Sequence, residues 1–91
     1  MSIGPVVFTV QGDQFIVPAH LSGVIWEGAM VSGDTVELRE RSTNALLWAC
    51  RTDVQQTYLG ATFGAHGVSA PGGFKATILT AGRLLVYLKE A

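Results

Sequence analysis

The sequence predicts an all-β protein: a compact antiparallel β-sandwich of about seven to eight short strands in jelly-roll or Greek-key order. A small closed barrel is the alternative. Three observations predict this class. Gly, Pro or Asp/Asn interrupts the chain about every 8–12 residues, the rhythm of strands and tight turns. The segments between these breaks alternate apolar and polar, or are rich in Val, Ile and aromatic residues. No 3.6-residue pattern of helical length survives the 11 glycines and 3 prolines. The 91 residues make one domain, with 1–5 as a candidate N-terminal arm.

Taken in order, residues 6–10 read as a first strand, 11–14 as a tight turn and 15–17 as a second strand stopped by Pro18. These two are expected to pair as a hairpin. Residues 23–27 form a third strand, followed by Gly28. Ser32, Gly33 and Asp34 make a turn. Residues 35–40 then show the cleanest alternation, with Val36 and Leu38 on one face and Thr35, Glu37 and Arg39 on the other. A polar turn at 42–44 leads to the return strand, 45–51. There Leu46, Trp48 and Cys50 share one face, and Leu47, Ala49 and Arg51 the other. Residues 55–59 are a weaker strand. Residues 60–73 read as a loop with a short strand near 67–69. Residues 74–79 alternate again, with Phe74, Ala76 and Ile78 inward, and Ala81-Gly82 turns. Residues 83–89 are almost continuously apolar, as in a central or interface strand covered on both faces.

Composition narrows the function classes. Charged residues make up 14% of the chain, against about 25% in an ordinary soluble domain. Thirteen charged side chains, six basic and seven acidic, are few for covering a small domain's large relative surface. Part of that surface is expected to meet protein rather than water. The six basic residues are scattered and the net charge is −1, which argues against nucleic-acid binding. The N-terminus lacks the pattern of a signal peptide, and no apolar run is long enough for a membrane helix. The reading is cytoplasmic synthesis without a membrane partner.

Candidate chemistry is sparse. Cys50, the one cysteine, lies mid-strand beside Leu46 and Trp48 and reads as a core residue rather than a nucleophile. His20 and His66 stand 46 residues apart without ligand spacing, so no metal site is expected. Asp13, Asp34 and Asp53 fall in turns, where Asp serves the backbone. Glu37 beside Arg39 reads as surface charge. No catalytic residue and no cofactor follow from this set, and the chain is read as non-enzymatic. Trp26 and Tyr58, in polar settings, are candidate surface aromatics able to stack on a partner or a sugar ring. Trp48 and Tyr87, in apolar strands, read as core.

The 60–73 segment carries no charge over fourteen residues. It is expected either to fold back over an open end of the sandwich or to dock on a neighbour, and docking is favoured here. Candidate partner-binding residues are Phe63, His66 and Val68 of this loop and Ile3, Pro5 and Val6 of the uncharged arm.

Three stretches carry a family resemblance: Ser-Gly-Asp-Thr-Val-Glu-Leu-Arg-Glu-Arg at 32–41, Leu-Leu-Trp-Ala-Cys-Arg at 46–51 and Ala-Gly-Arg-Leu-Leu-Val-Tyr-Leu-Lys at 81–89. Together they resemble small β-sandwich virion proteins of tailed bacteriophages, the accessory proteins that decorate or cement capsids. The resemblance implies a structural protein of the virion. It also implies a homo-oligomer, such as a trimer, bound to a major capsid protein. It assigns no role to any single residue. A carbohydrate- or receptor-binding β-sandwich module is the alternative.

Overall fold

The computed structural model describes residues 5–64 and 67–89. Among the described residues nine strands follow one another: β1 (Val6–Phe8), β2 (Gln14–Phe15), β3 (Ala19–Met30), β4 (Thr35–Glu40), β5 (Leu46–Arg51), β6 (Gln56–Thr62), β7 (Val68–Ala70), β8 (Phe74–Leu79) and β9 (Arg83–Leu88). They build two antiparallel sheets. One has the order β1-β9-β3-β6, with β7 also pairing with β3. The other has the order β2-β8-β4-β5. The expected all-β sandwich is the observed architecture. The short strand expected near 67–69 is present as Val68–Ala70, which pairs with Ala19–Leu21, while 60–62, read as loop, extends β6.

Alternation places the core. From the first sheet, Leu21, Val24, Trp26, Leu84 and Val86 point inward and are buried. From the second, Val36, Leu38, Phe74, Ala76 and Leu79 meet them. Burying a large apolar side chain contributes about 1.5–3 kcal/mol, so these two layers carry most of the fold. Phe8 of the first sheet lies 5.6 Å from Phe74 of the second, and Phe15 lies 5.1 Å from the same ring. The tilted arrangement is the favoured one for aromatic pairs.

The 35–51 hairpin is present with its register, Val36 opposite Cys50 and Leu38 opposite Trp48. Two details differ from simple alternation. Arg39 pairs with Leu46, so Leu47 is an extra residue in β5. That bulge leaves Leu46 exposed while Leu47, Trp48 and Cys50 pack on the core. A similar slip at Thr77 between β4 and β8 turns Leu79 inward in place of Ile78.

The expected hairpin between the first two strands does not form. β1 pairs with β9 in one sheet, and β2 pairs with β8 in the other. The turn itself explains the split. Asp13 Oδ2 accepts the N–H groups of Thr9 and Val10, closing the turn locally. Gly12 N–H donates to the Ala76 carbonyl, and Ala76 N–H donates to the Asp13 carbonyl. The chain is thereby handed to β8 before β2 begins, with Gly12 in the left-handed region at φ 98°.

Candidate functional site

Each sheet has an outer face, and the two are chemically unlike. On the five-stranded sheet the large apolar and aromatic residues that alternate with the buried set are Val7, Ile25, Tyr58, Leu85 and Tyr87. All five are exposed or half-buried, and none packs against the core. Strand register gathers them. Val7 lies opposite Leu85, Leu85 opposite Ile25, and Ile25 opposite Gly60. This row crosses the whole sheet without a charge. The next row places Tyr87 and Thr62 on either side of Gly23. The far row holds an ion pair, Arg83 with Glu27 at 2.5 Å, beside Tyr58.

Glycine floors this face. A Cβ on Gly23 would stand 2.8 Å from the Ala61 carbonyl oxygen, closer than side-chain carbons pack. Gly23 is therefore required by the approach of β6. Across that floor runs a groove of about 530 Å³ lined by Ile25, Gly60, Thr62 and the two tyrosines. Tyr58 is 59% exposed. An open cleft of about 650 Å³ adjoins it at the Glu27–Arg83 end.

The outer face of the four-stranded sheet carries Glu37, Arg39, Arg51 and Lys75, interleaved with Thr35 and Thr77. Arg39 Nε donates to Glu37, and the Thr77 hydroxyl donates to it at 3.0 Å. The Arg39 bond, then the Thr77 bond, hold the Glu37 carboxyl below the usual carboxylate range.

Among the described residues Glu40 is the one acid turned inward, on the face of Val36 and Leu38. Its carboxylate accepts the N–H groups of Thr43 at 2.6 Å, Ser42 at 2.5 Å and Gly72 at 2.6 Å, along with the Ser42 hydroxyl at 2.8 Å. The Thr43 N–H, then the Ser42 hydroxyl and the Gly72 and Ser42 N–H groups, lower its pKa to about 2 against the opposing cost of burial. With all its lone pairs engaged, Glu40 fastens the β4–β5 turn to the segment before β8. It has no capacity left for acid–base work.

The sequence-derived candidates fall into three groups. Tyr58 is a surface aromatic, as expected. Trp26 is not: it is wholly buried, its indole N–H donating to the Ala81 carbonyl at 2.8 Å. Its neighbours Glu27 and Gly28 suggested a polar setting, but strand alternation turns Trp26 to the inner side. Tyr87, read as core, stands on the outer face. Val6 and Phe63 pack partly buried against the chain's own core, so Phe63 folds back rather than reaching outward. Pro5 and Val68 are half-buried at the sheet margin. Ile3 and His66 lie outside the described residues. Val7, Ile25, Leu85 and Tyr87 were missed as a group. The signal for them was the unbroken apolar run of β9, which already called for cover on both faces. Cys50 is half-buried on the core side, in keeping with a packing role. Among the described residues no cluster of His, Cys, Asp or Glu is arranged to hold a metal.

Compared with known proteins, the chain matches no protein-family model, no curated protein sequence and no solved structure.

Proposed function

We propose that this chain is a non-enzymatic structural subunit that associates with copies of itself and with a larger protein lattice, decorating or stabilising it. A phage capsid is the lattice that the resemblance over residues 33–89 implies. The observation that carries the reading is the uncharged row Val7–Leu85–Ile25–Gly60 across a full sheet face. Covering such side chains contributes at about 25 cal/mol per Å² of apolar surface removed from water. Contiguous apolar surface of this kind marks protein contact sites. The mechanism is mechanical: a subunit seated across two lattice proteins adds its interface energy to theirs. Both carboxylates held acidic, Glu37 and Glu40, are engaged by donors of their own chain, which supports a non-enzymatic role.

Light scattering behind size exclusion tests this. The purified wild type is expected to run heavier than one chain at tens of micromolar, and Ile25→Lys with Leu85→Lys to run lighter while folded. A highly soluble wild type of single-chain mass would overturn the reading.

A second reading rests on the groove lined by Tyr58 and Tyr87, aromatic side chains of the kind that stack on the apolar C–H face of a sugar ring. Calorimetry against a glycan panel tests it. Heat that disappears in Tyr58→Ala would support a saccharide site, and no heat from any glycan would remove it.

A further inference from the structure

We propose that β6 is a self-pairing edge, through which two copies of this chain join antiparallel and fuse their five-stranded sheets into one. The proposal rests on the assembly reading above and names one of its interfaces. β6 is the last strand on its side of the sheet.

The phase of its hydrogen bonds follows from one contact: Phe63 N–H donates to the Ser22 carbonyl at 3.1 Å. Bonded and non-bonded pairs alternate along an antiparallel ladder. With Ala61 opposite Val24 and Leu59 opposite Trp26, those two pairs exchange bonds with β3. Tyr58, Gly60 and Thr62 therefore turn their N–H and C=O groups to the open side. No strand pairs with that side among the described residues, and no other bond reaches those groups.

Sheet edges are commonly guarded by shortness, charge, proline or a bulge. The other edges of this sandwich follow that rule. β1 has three residues and β2 two. β5 carries a bulge at Leu47 and ends on Arg51. β6 has seven residues, Gln-Thr-Tyr-Leu-Gly-Ala-Thr, with no charge and no proline. Its register runs unbroken from Tyr58 to Thr62.

Only an extended backbone satisfies such an edge, and the sequence of β6 suits a second copy of itself. A two-fold axis at Gly60 sets Gly60 against the partner's Gly60 and Tyr58 against the partner's Thr62. Three such pairs give about six backbone hydrogen bonds. No like charges meet, and the axis passes where there is no side chain. The Tyr58 hydroxyl lies 3.6 Å from where a Cβ on Gly60 would be, so each tyrosine shields its own glycine. Joining the edges also makes the row Val7–Leu85–Ile25–Gly60 continuous across both copies, doubling the uncharged face.

Amide hydrogen exchange on the full-length wild type, over a hundredfold range of concentration with the mass followed in parallel, reads this edge directly. The amides of Leu59 and Ala61 are expected to be protected throughout. Those of Tyr58, Gly60 and Thr62 are expected to gain at least tenfold protection as the dimer forms. Thr62→Pro removes one outward N–H and should weaken association by at least tenfold, while Thr62→Val should not. Near-ultraviolet circular dichroism of buried Trp26 reports whether each variant is folded. The Ile25→Lys, Leu85→Lys chain should remain a dimer. Association that leaves the Tyr58, Gly60 and Thr62 amides unprotected would overturn the β6 pairing and leave the assembly reading standing. A wild type that stays monomeric would overturn both.

Discussion

The two outer faces of this sandwich lie over antiparallel sheets that share one core, yet one is built for water and the other is not. Over the four-stranded sheet, Glu37, Arg39, Arg51 and Lys75 stand among threonines. Over the five-stranded sheet, valine, isoleucine, leucine and two tyrosines stand on glycine, and the Glu27–Arg83 ion pair sits at one end. The inner faces are alike, because both must pack; the outer faces are free to differ. Where one outer face takes Glu37, Arg39, Arg51 and Lys75 and the middle of the other takes no charge, that second face is left for contact.

Four substitutions break or sharpen that contrast. The largest effect is expected from Leu84→Ala, which opens a cavity in the core beneath both faces. It should cost about 2–5 kcal/mol in denaturant unfolding, with both sheets lost together. Glu40→Gln acts on the polar sheet alone. The Glu40 carboxyl sits at about 2 in the folded chain, below its ordinary 4.5. Its ionised form therefore stabilises the fold fully above pH 4.5, and that support is lost as pH falls from 4.5 toward 2. The wild type should lose stability across this window. Glu40→Gln should be less stable at pH 7 and show a smaller fall below pH 4.5, as read by thermal unfolding at several pH values. Leu85→Lys gives the apolar face the character of the other. It should change folding stability by less than about 1 kcal/mol and lower face-mediated association by tenfold or more. The smallest effect is expected from Arg83→Gln, since an exposed ion pair contributes about 0.2–1 kcal/mol. Its thermal midpoint should barely move.

Much of the fold can be read from local chemistry. The 35–51 hairpin announces itself by alternation between turn residues, and β9 by its apolar run. What local pattern does not carry is choice of partner. Val6–Phe8 and Gln14–Phe15 look like two arms of a hairpin, but backbone bonds from Gly12 and Asp13 to Ala76, distant in sequence, send them to different sheets. Bulges hide in the same way: nothing around Leu47 or Thr77 marks the extra residue that reverses which neighbours face inward. The site suffered from both effects. The polarity of its neighbours points Trp26 outward, but its phase relative to Val24 decides its side. The true outer row joins Val7, Ile25 and Leu85 from three strands, and only the register brings them together.

The placement of β1 beside β9 has a consequence under load. Val6 lies opposite Val86, so the first and last strands leave the sandwich at the same corner. A pull that separates Pro5 from Lys89 would peel β1 from β9 one rung at a time, a geometry that yields at low force. A pull applied to both at that corner, against a contact on the far edge, would load many rungs of the sheet at once. A subunit of this shape is weak as a link in a tether and strong as a clamp.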